Sequence, residues 1–138
     1  MPASASNRFN NYGLIPVLDH NMKAEQLTVS LSPTQTLAKG TVMGQITAGG
    51  AFKAYASGSS DGSQVPKGLL AFDCVVDASG NVTIGGGDQG VTYPTAPLYT
   101  GGDFNCADLT GLDANAVTAG NWTLLLGSVS TGVLRMSG

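Results

Sequence analysis

His20 is the only histidine available as a general base, and its nearest acidic neighbours in sequence are Asp19 and Glu25. A Ser-His-Asp arrangement would depend entirely on this residue, and no serine lies in the G-x-S-x-G turn that exposes a hydrolase nucleophile. A lone histidine in a polar segment more often makes a surface hydrogen bond than acts as a base. The glycine runs Gly49-Gly50 and Gly85-Gly86-Gly87 are not phosphate cradles: the first is not followed by a helix-opening Gly-Lys-Ser/Thr, and the second leads into Asp88, whose charge repels phosphate. Asp61-Gly62, and Asp88 with Asp103, supply oxygen atoms but not the closely spaced ligand run of a calcium loop. No catalytic residue, metal or cofactor is therefore expected, and an enzyme is the last class to consider.

Two cysteines, Cys74 and Cys106, do not make a disulfide framework in a chain of 138 residues. Cys74 lies in the apolar run FDCVV and is read as a small buried hydrophobe. Asn121-Trp122-Thr123 fits the glycosylation pattern, which carries no meaning without a secretion signal. The N-terminus MPASASNRFNNY has no apolar signal core, and no apolar run reaches the length of a membrane span. We therefore expect a soluble protein made in a cytoplasm, without a membrane partner.

The elements that must position any binding residue are short strands with sharp corners. Twenty glycines, 42% hydrophobic residues and only 11% charged residues favour strands and turns over exposed helix faces. The net charge is −3, and from Gly68 onward Asp73, Asp77, Asp88, Asp103, Asp108 and Asp113 face Arg135 alone. Phosphate binding needs clustered Lys and Arg, so nucleic acid is not expected as a direct partner.

Residues 37–73 have the most demanding order. A turn at Lys39-Gly40 leads to a strand over Thr41 to Ile46, a turn at Ala48-Gly49-Gly50 to a strand over Ala51 to Tyr55, and a polar loop through Asp61-Gly62, Pro66 and Gly68 to an apolar strand over Leu69 to Val76. Leu27, Val29 and Leu31 alternate with polar residues as a half-buried strand does. Asp77 to Asn81 reads as a hairpin turn into Val82 to Ile84. Pro94 and Pro97 exclude a central strand and predict an extended surface loop carrying Tyr93 and Tyr99, exposed contact residues or a cover over the core. A helical turn over Asp113 to Ala119 ended by Gly120, a doubly buried strand over Trp122 to Val129 bent at Gly127, and a last strand over Val133 to Met136 complete the chain.

Residues 1–19 follow neither period. They read as an extended N-terminal arm preceding a single β-rich domain over residues 20–138. Asn7, Arg8, Phe9, Tyr12, Leu14 and Ile15 are spaced as anchors along a partner's sheet edge or groove, where backbone hydrogen bonds give affinity and alternate side chains give register.

The central stretch resembles the head decoration protein family of tailed bacteriophages, the group containing lambda protein D. The likeness is carried by Leu37, Lys39-Gly40-Thr41-Val42-Met43-Gly44, the Gly50-x-Phe52-Lys53 hairpin, and Ser60-Asp61-Gly62-Ser63-Gln64-Val65 leading to Gly68-Leu69-Leu70-Ala71. It is loose beyond these residues and does not extend to residues 111–138. The resemblance implies a mainly β protein of the β-clip type, a bent ribbon closing into an incomplete barrel with an extended N-terminal arm and at most one short helix. It further implies a homotrimer on threefold and quasi-threefold positions of the outer capsid surface, with the phage major capsid protein as partner, cementing the expanded shell against genome pressure. On this reading Asn7 to Ile15 are the capsid-binding arm, Tyr93 and Tyr99 an interface loop, and Gly40, Gly44, Asp61, Gly62 and Gly68 structural corners.

Two other classes remain. A Lys-Gly-Thr-Val turn before a short strand also occurs in β-clip carbohydrate-binding modules, where Tyr93, Tyr99 or Trp122 would stack on a sugar. A tail or fibre component of a virion is the other.

Overall fold

The computed structural model describes residues 25–85 and 91–137. The chain is mainly β, with ten strands, one 3-10 turn and one short helix among these residues. In order, the strands are β1 (Glu25–Val29), β2 (Gln35–Leu37), β3 (Val42–Gln45), β4 (Phe52–Ala54), β5 (Pro66–Leu70), β6 (Cys74–Val76), β7 (Val82–Ile84), β8 (Ala96–Asn105), β9 (Thr123–Leu125) and β10 (Val133–Ser137). The 3-10 turn is Cys106–Asp108, and helix α1 is Ala114–Ala119.

One seven-stranded sheet runs β4-β3-β5-β8-β10-β9, with β1 also paired to β8. It curls into a half-barrel. Just beyond β1 the chain returns to the far edge of this curl, where Ser32 N–H donates to the Phe52 carbonyl and Phe52 N–H to the Ser30 carbonyl, both at 2.8 Å. The second sheet, β2-β6-β7, is a small antiparallel layer.

The central strands are buried on both faces, and their sequence says why. Successive strand residues point to opposite sides, and neither side of Val42-Met43 or Leu69-Leu70 offers a polar residue. Met43 and Leu70 enter one core with Phe52, Leu98, Val76 and Val82. Val42 and Leu69, paired across β3 and β5, enter a second core with Phe104, Leu134 and Met136, closed by Ala116 of α1.

Helix α1 follows its predicted bounds. Asp113 Oδ1 accepts from Ala116 N–H at 2.7 Å, capping the first turn, and also from the Tyr55 hydroxyl at 2.9 Å, which ties the helix to the chain after β4. Replacing Asp113 with Ala removes both bonds and should lower the unfolding free energy by about 2–3 kcal/mol, whereas Tyr55→Phe, which leaves the cap, should cost about 1–2 kcal/mol. Urea titration of both variants reads the difference.

Three strand assignments are corrected. Leu69 to Val76 is not one strand: it divides into β5 and β6 in different sheets, and β5 begins at Pro66. At the crossing Asp73 Oδ1 accepts from Lys39 N–H and its carbonyl from Gly85 N–H. Pro97, read as excluding a central strand, is the second residue of the ten-residue β8. Its carbonyl accepts from Ala71 N–H at 3.2 Å, and Ala71 lies one residue past β5, so the missing proline N–H forfeits a single bond at the end of the pairing. The strand expected over Trp122 to Val129 stops at Leu125, because Leu126 (φ 45°) and Gly127 (φ 89°) turn the backbone left-handed. Leu126, expected in the core, is 83% exposed.

Candidate interaction surfaces

The arm residues Asn7, Arg8, Phe9, Tyr12, Leu14 and Ile15 lie outside the described residues, as do His20 and Asp88. The described chain begins where they would join it, at Glu25 in β1. Beside this point opens a groove of about 770 Å³ at the mouth of the curled sheet. It is lined by Glu25, Gln26 and Leu27 of β1, Pro66 and Lys67 of β5, Gly120 to Trp122, and the core residues Phe52 and Leu98.

Tyr93 and Tyr99 do not share a loop. Tyr93 exchanges two backbone bonds with Val82, both 2.7 Å, so the small sheet holds its backbone while the side chain is 47% exposed. Tyr99 is a strand residue of β8, paired with Leu69, and its ring packs on Phe104 at 5.1 Å between centroids with a 44° tilt. A tilted pair of this kind is a packing contact, so Tyr99 covers the second core rather than lying in an exposed loop. Trp122 is likewise half-buried against that core, with its ring beside Gly120. Other exposed apolar side chains, Phe72, Val75 and Val91, belong to the small sheet and its flanks. Val75 must point outward because Cys74 and Val76 on either side point in.

The corner residues are joined into one structural knot. Asp61 Oδ1 accepts from Ser63 Oγ at 2.6 Å and Ser63 N–H at 3.0 Å, and Lys53 Nζ donates to Oδ2 at 3.2 Å. The Ser63 hydroxyl and N–H hold the Asp61 carboxyl down at about 2. The Asp61 carbonyl meanwhile accepts from Thr47 N–H at 2.8 Å, which docks the loop on the end of β3. Gly44 faces the Ser63 backbone and Gly62 faces Gln45 and Thr47, each so closely that a Cβ would overlap backbone atoms. Gly40 and Gly68 meet the backbones of Asp108 and Tyr99 in the same way.

Asp103, one of the six acidic residues that follow Gly68, is fully buried and bound by Arg135 in a two-pronged pair at 2.9 and 2.7 Å. Its oxygens are thus committed to a guanidinium across the β8–β10 register. The available signal was that Arg135 is the sole base after Gly68, hence the sole local partner for a buried acid.

Both cysteines are free and buried. Burial first, then the nearby Asp73 charge, pushes the Cys74 thiol up to about 11 from 9.0. The protonated thiol is the form the fold prefers, so this contribution to stability is full below about 9 and is lost as pH rises towards 11. Accordingly, a thiol reagent at pH 8 should label Cys74 only after denaturant is added; rapid labelling of the native protein would show the site to be open.

A family model described as bacteriophage lambda head decoration protein D matches residues 9–85, more than half of the chain. No curated protein and no solved structure matches it.

Proposed function

From the premise that this chain belongs to the bacteriophage lambda head decoration protein family, whose role is structural on the phage head, we propose that it binds the outer surface of the expanded capsid as a homotrimer. There it stabilises the shell against the outward pressure of packaged genome, with the major capsid protein as its partner and the virion as its location.

The family match over residues 9–85 carries this reading. The match begins at Phe9, among the residues assigned to the arm, and runs through the knot of Asp61 and Gly62 to the end of β7. Of the carboxylates that invited a metal reading, the two among the described residues are engaged by protein groups: Asp61 by Ser63 and Lys53, and Asp103 by Arg135. These bonds stiffen corners and do not present a reacting group.

The mechanism is mechanical and multivalent. Three identical arms of a C3 trimer each grip a different coat subunit, by adding a strand to its exposed edge through Asn7, Arg8, Phe9, Tyr12, Leu14 and Ile15. Once one arm is held, the others bind at high effective concentration, so detachment requires several contacts to fail together. The rigid body keeps the arm roots in fixed relation, and exposed Tyr93 is a candidate for a further contact.

Co-sedimentation tests the reading. The protein should pellet with expanded empty shells and stay in solution with unexpanded ones. Equal binding to both, or to neither, would remove the proposed dependence on the expanded lattice.

A further inference from the structure

The groove beside β1 is open although core residues are among its lining. Phe52 and Leu98 are 6% and 0% exposed, yet Leu27, paired opposite Leu98, is 53% exposed. Paired residues share a face, so Leu27 carries the apolar side of the groove outward into the opening, beside the polar lining residues Glu25, Gln26, Gln45, Lys67, Thr100 and Asn121. Three consecutive residues, Glu25 to Leu27, line one wall. Their side chains alternate, so that wall includes the β1 backbone. Among the described residues β1 itself pairs only with β8, leaving its other edge available.

We propose that the groove receives residues 14–18 of the same chain, LIPVL, laid along the free edge of β1. These five residues form the longest unbroken apolar run before β1. Asp19-His20-Asn21 follows them, residue types that favour a reversal of the chain. The seven-residue step from Leu18 to Glu25 reaches roughly 23–25 Å when extended, ample for a turn beside the groove. Pro16 suits an outermost strand, where its missing N–H can face solvent. The groove, of about 770 Å³, falls in the size range of small-ligand clefts. Leu14 and Ile15 are also assigned to the coat contact, so groove docking and coat binding compete, and capture by a shell draws the segment out. The docking itself is a property of the isolated protein and stands or falls independently of the capsid reading.

Trp122, the single tryptophan of the chain, is among the lining residues and so reports occupancy. Three isolated proteins are compared without capsids: the full chain, a chain lacking residues 1–18, and the full chain carrying Ile15→Asp and Val17→Asp. Both altered proteins should emit at longer wavelength and be quenched more strongly by acrylamide, with unchanged circular dichroism. A peptide of residues 11–20 should restore the spectrum of the truncated protein with Kd below about 0.1 mM, tenfold under the millimolar effective concentration of a short tether. Identical emission and quenching in all three proteins would overturn the proposal, as would absence of peptide binding at about 1 mM. It would equally be overturned if the difference grew with protein concentration, because a second copy would then be the occupant. The double variant keeps the answer readable if truncation alone unfolds the chain.

Discussion

A protein lacking residues 1–14 should fold normally and yet lose its place on expanded capsids. Among the described residues, both cores are filled by side chains between Val29 and Met136. Thermal unfolding should therefore change little, while the three arm contacts of the proposed trimer disappear together. Linking modules raises avidity by roughly 10² to 10⁴, so apparent affinity for the shell should fall by at least about two orders of magnitude, read as occupancy in a pelleting titration. Single substitutions at Phe9 or Tyr12 should produce smaller losses that grow when combined. Undiminished occupancy after the deletion would show that the body alone holds the capsid, and attention would move to the exposed side chains Tyr93, Val75 and Leu126.

The second large effect is expected at Gly62. Its φ of 110° lies in the region that L side chains avoid, and a Cβ there would overlap Thr47 Oγ1 and the Gln45 carbonyl. Left-handed strain costs about 1–2 kcal/mol and overpacking about 1–3 kcal/mol, so Gly62→Ala should lower the unfolding free energy by about 2–5 kcal/mol. Gly49 separates the two causes. Its φ is 89°, but no atom stands within 4 Å of the Cβ position, so Gly49→Ala should cost only the strain, about 1–2 kcal/mol. Equal losses at both sites, measured by denaturant titration, would mean that the loop moves aside easily and that the Asp61 knot is not tight.

Local chemistry was legible in the residue order: Asp113 and Gly120 bracket α1 as their types demand, and Asp77 accepts from Ser79 and Asn81 to make the β6–β7 turn. Fold class was legible too, from glycine corners and β-branched strands. What failed depended on register and layering. Nothing local distinguishes a proline inside a strand from one in a loop when the outcome rests on Ala71 lying opposite it. The run WTLLL gives no sign that Leu126 will turn outward: its left-handed backbone lies against Gly132, where the chain returns, and that approach is not written in the run itself. The division of Leu69 to Val76 between two sheets is likewise a tertiary event. As for the candidate site, Tyr93 and Tyr99 read together as either exposed contacts or a cover over the core, and the structure separates them, Tyr93 being exposed and Tyr99 packed on Phe104. The groove beside β1 left no trace in sequence because its lining comes from six separate stretches.

An image of the assembled particle at side-chain detail tests the central claim most directly. The expected map has threefold knobs on the outside of the expanded shell, each fitted by three copies of the curled sheet, with density for residues 7–15 running from β1 onto a neighbouring coat subunit. Copies found only at the tail, or knobs whose arms make no contact with the coat, would contradict it.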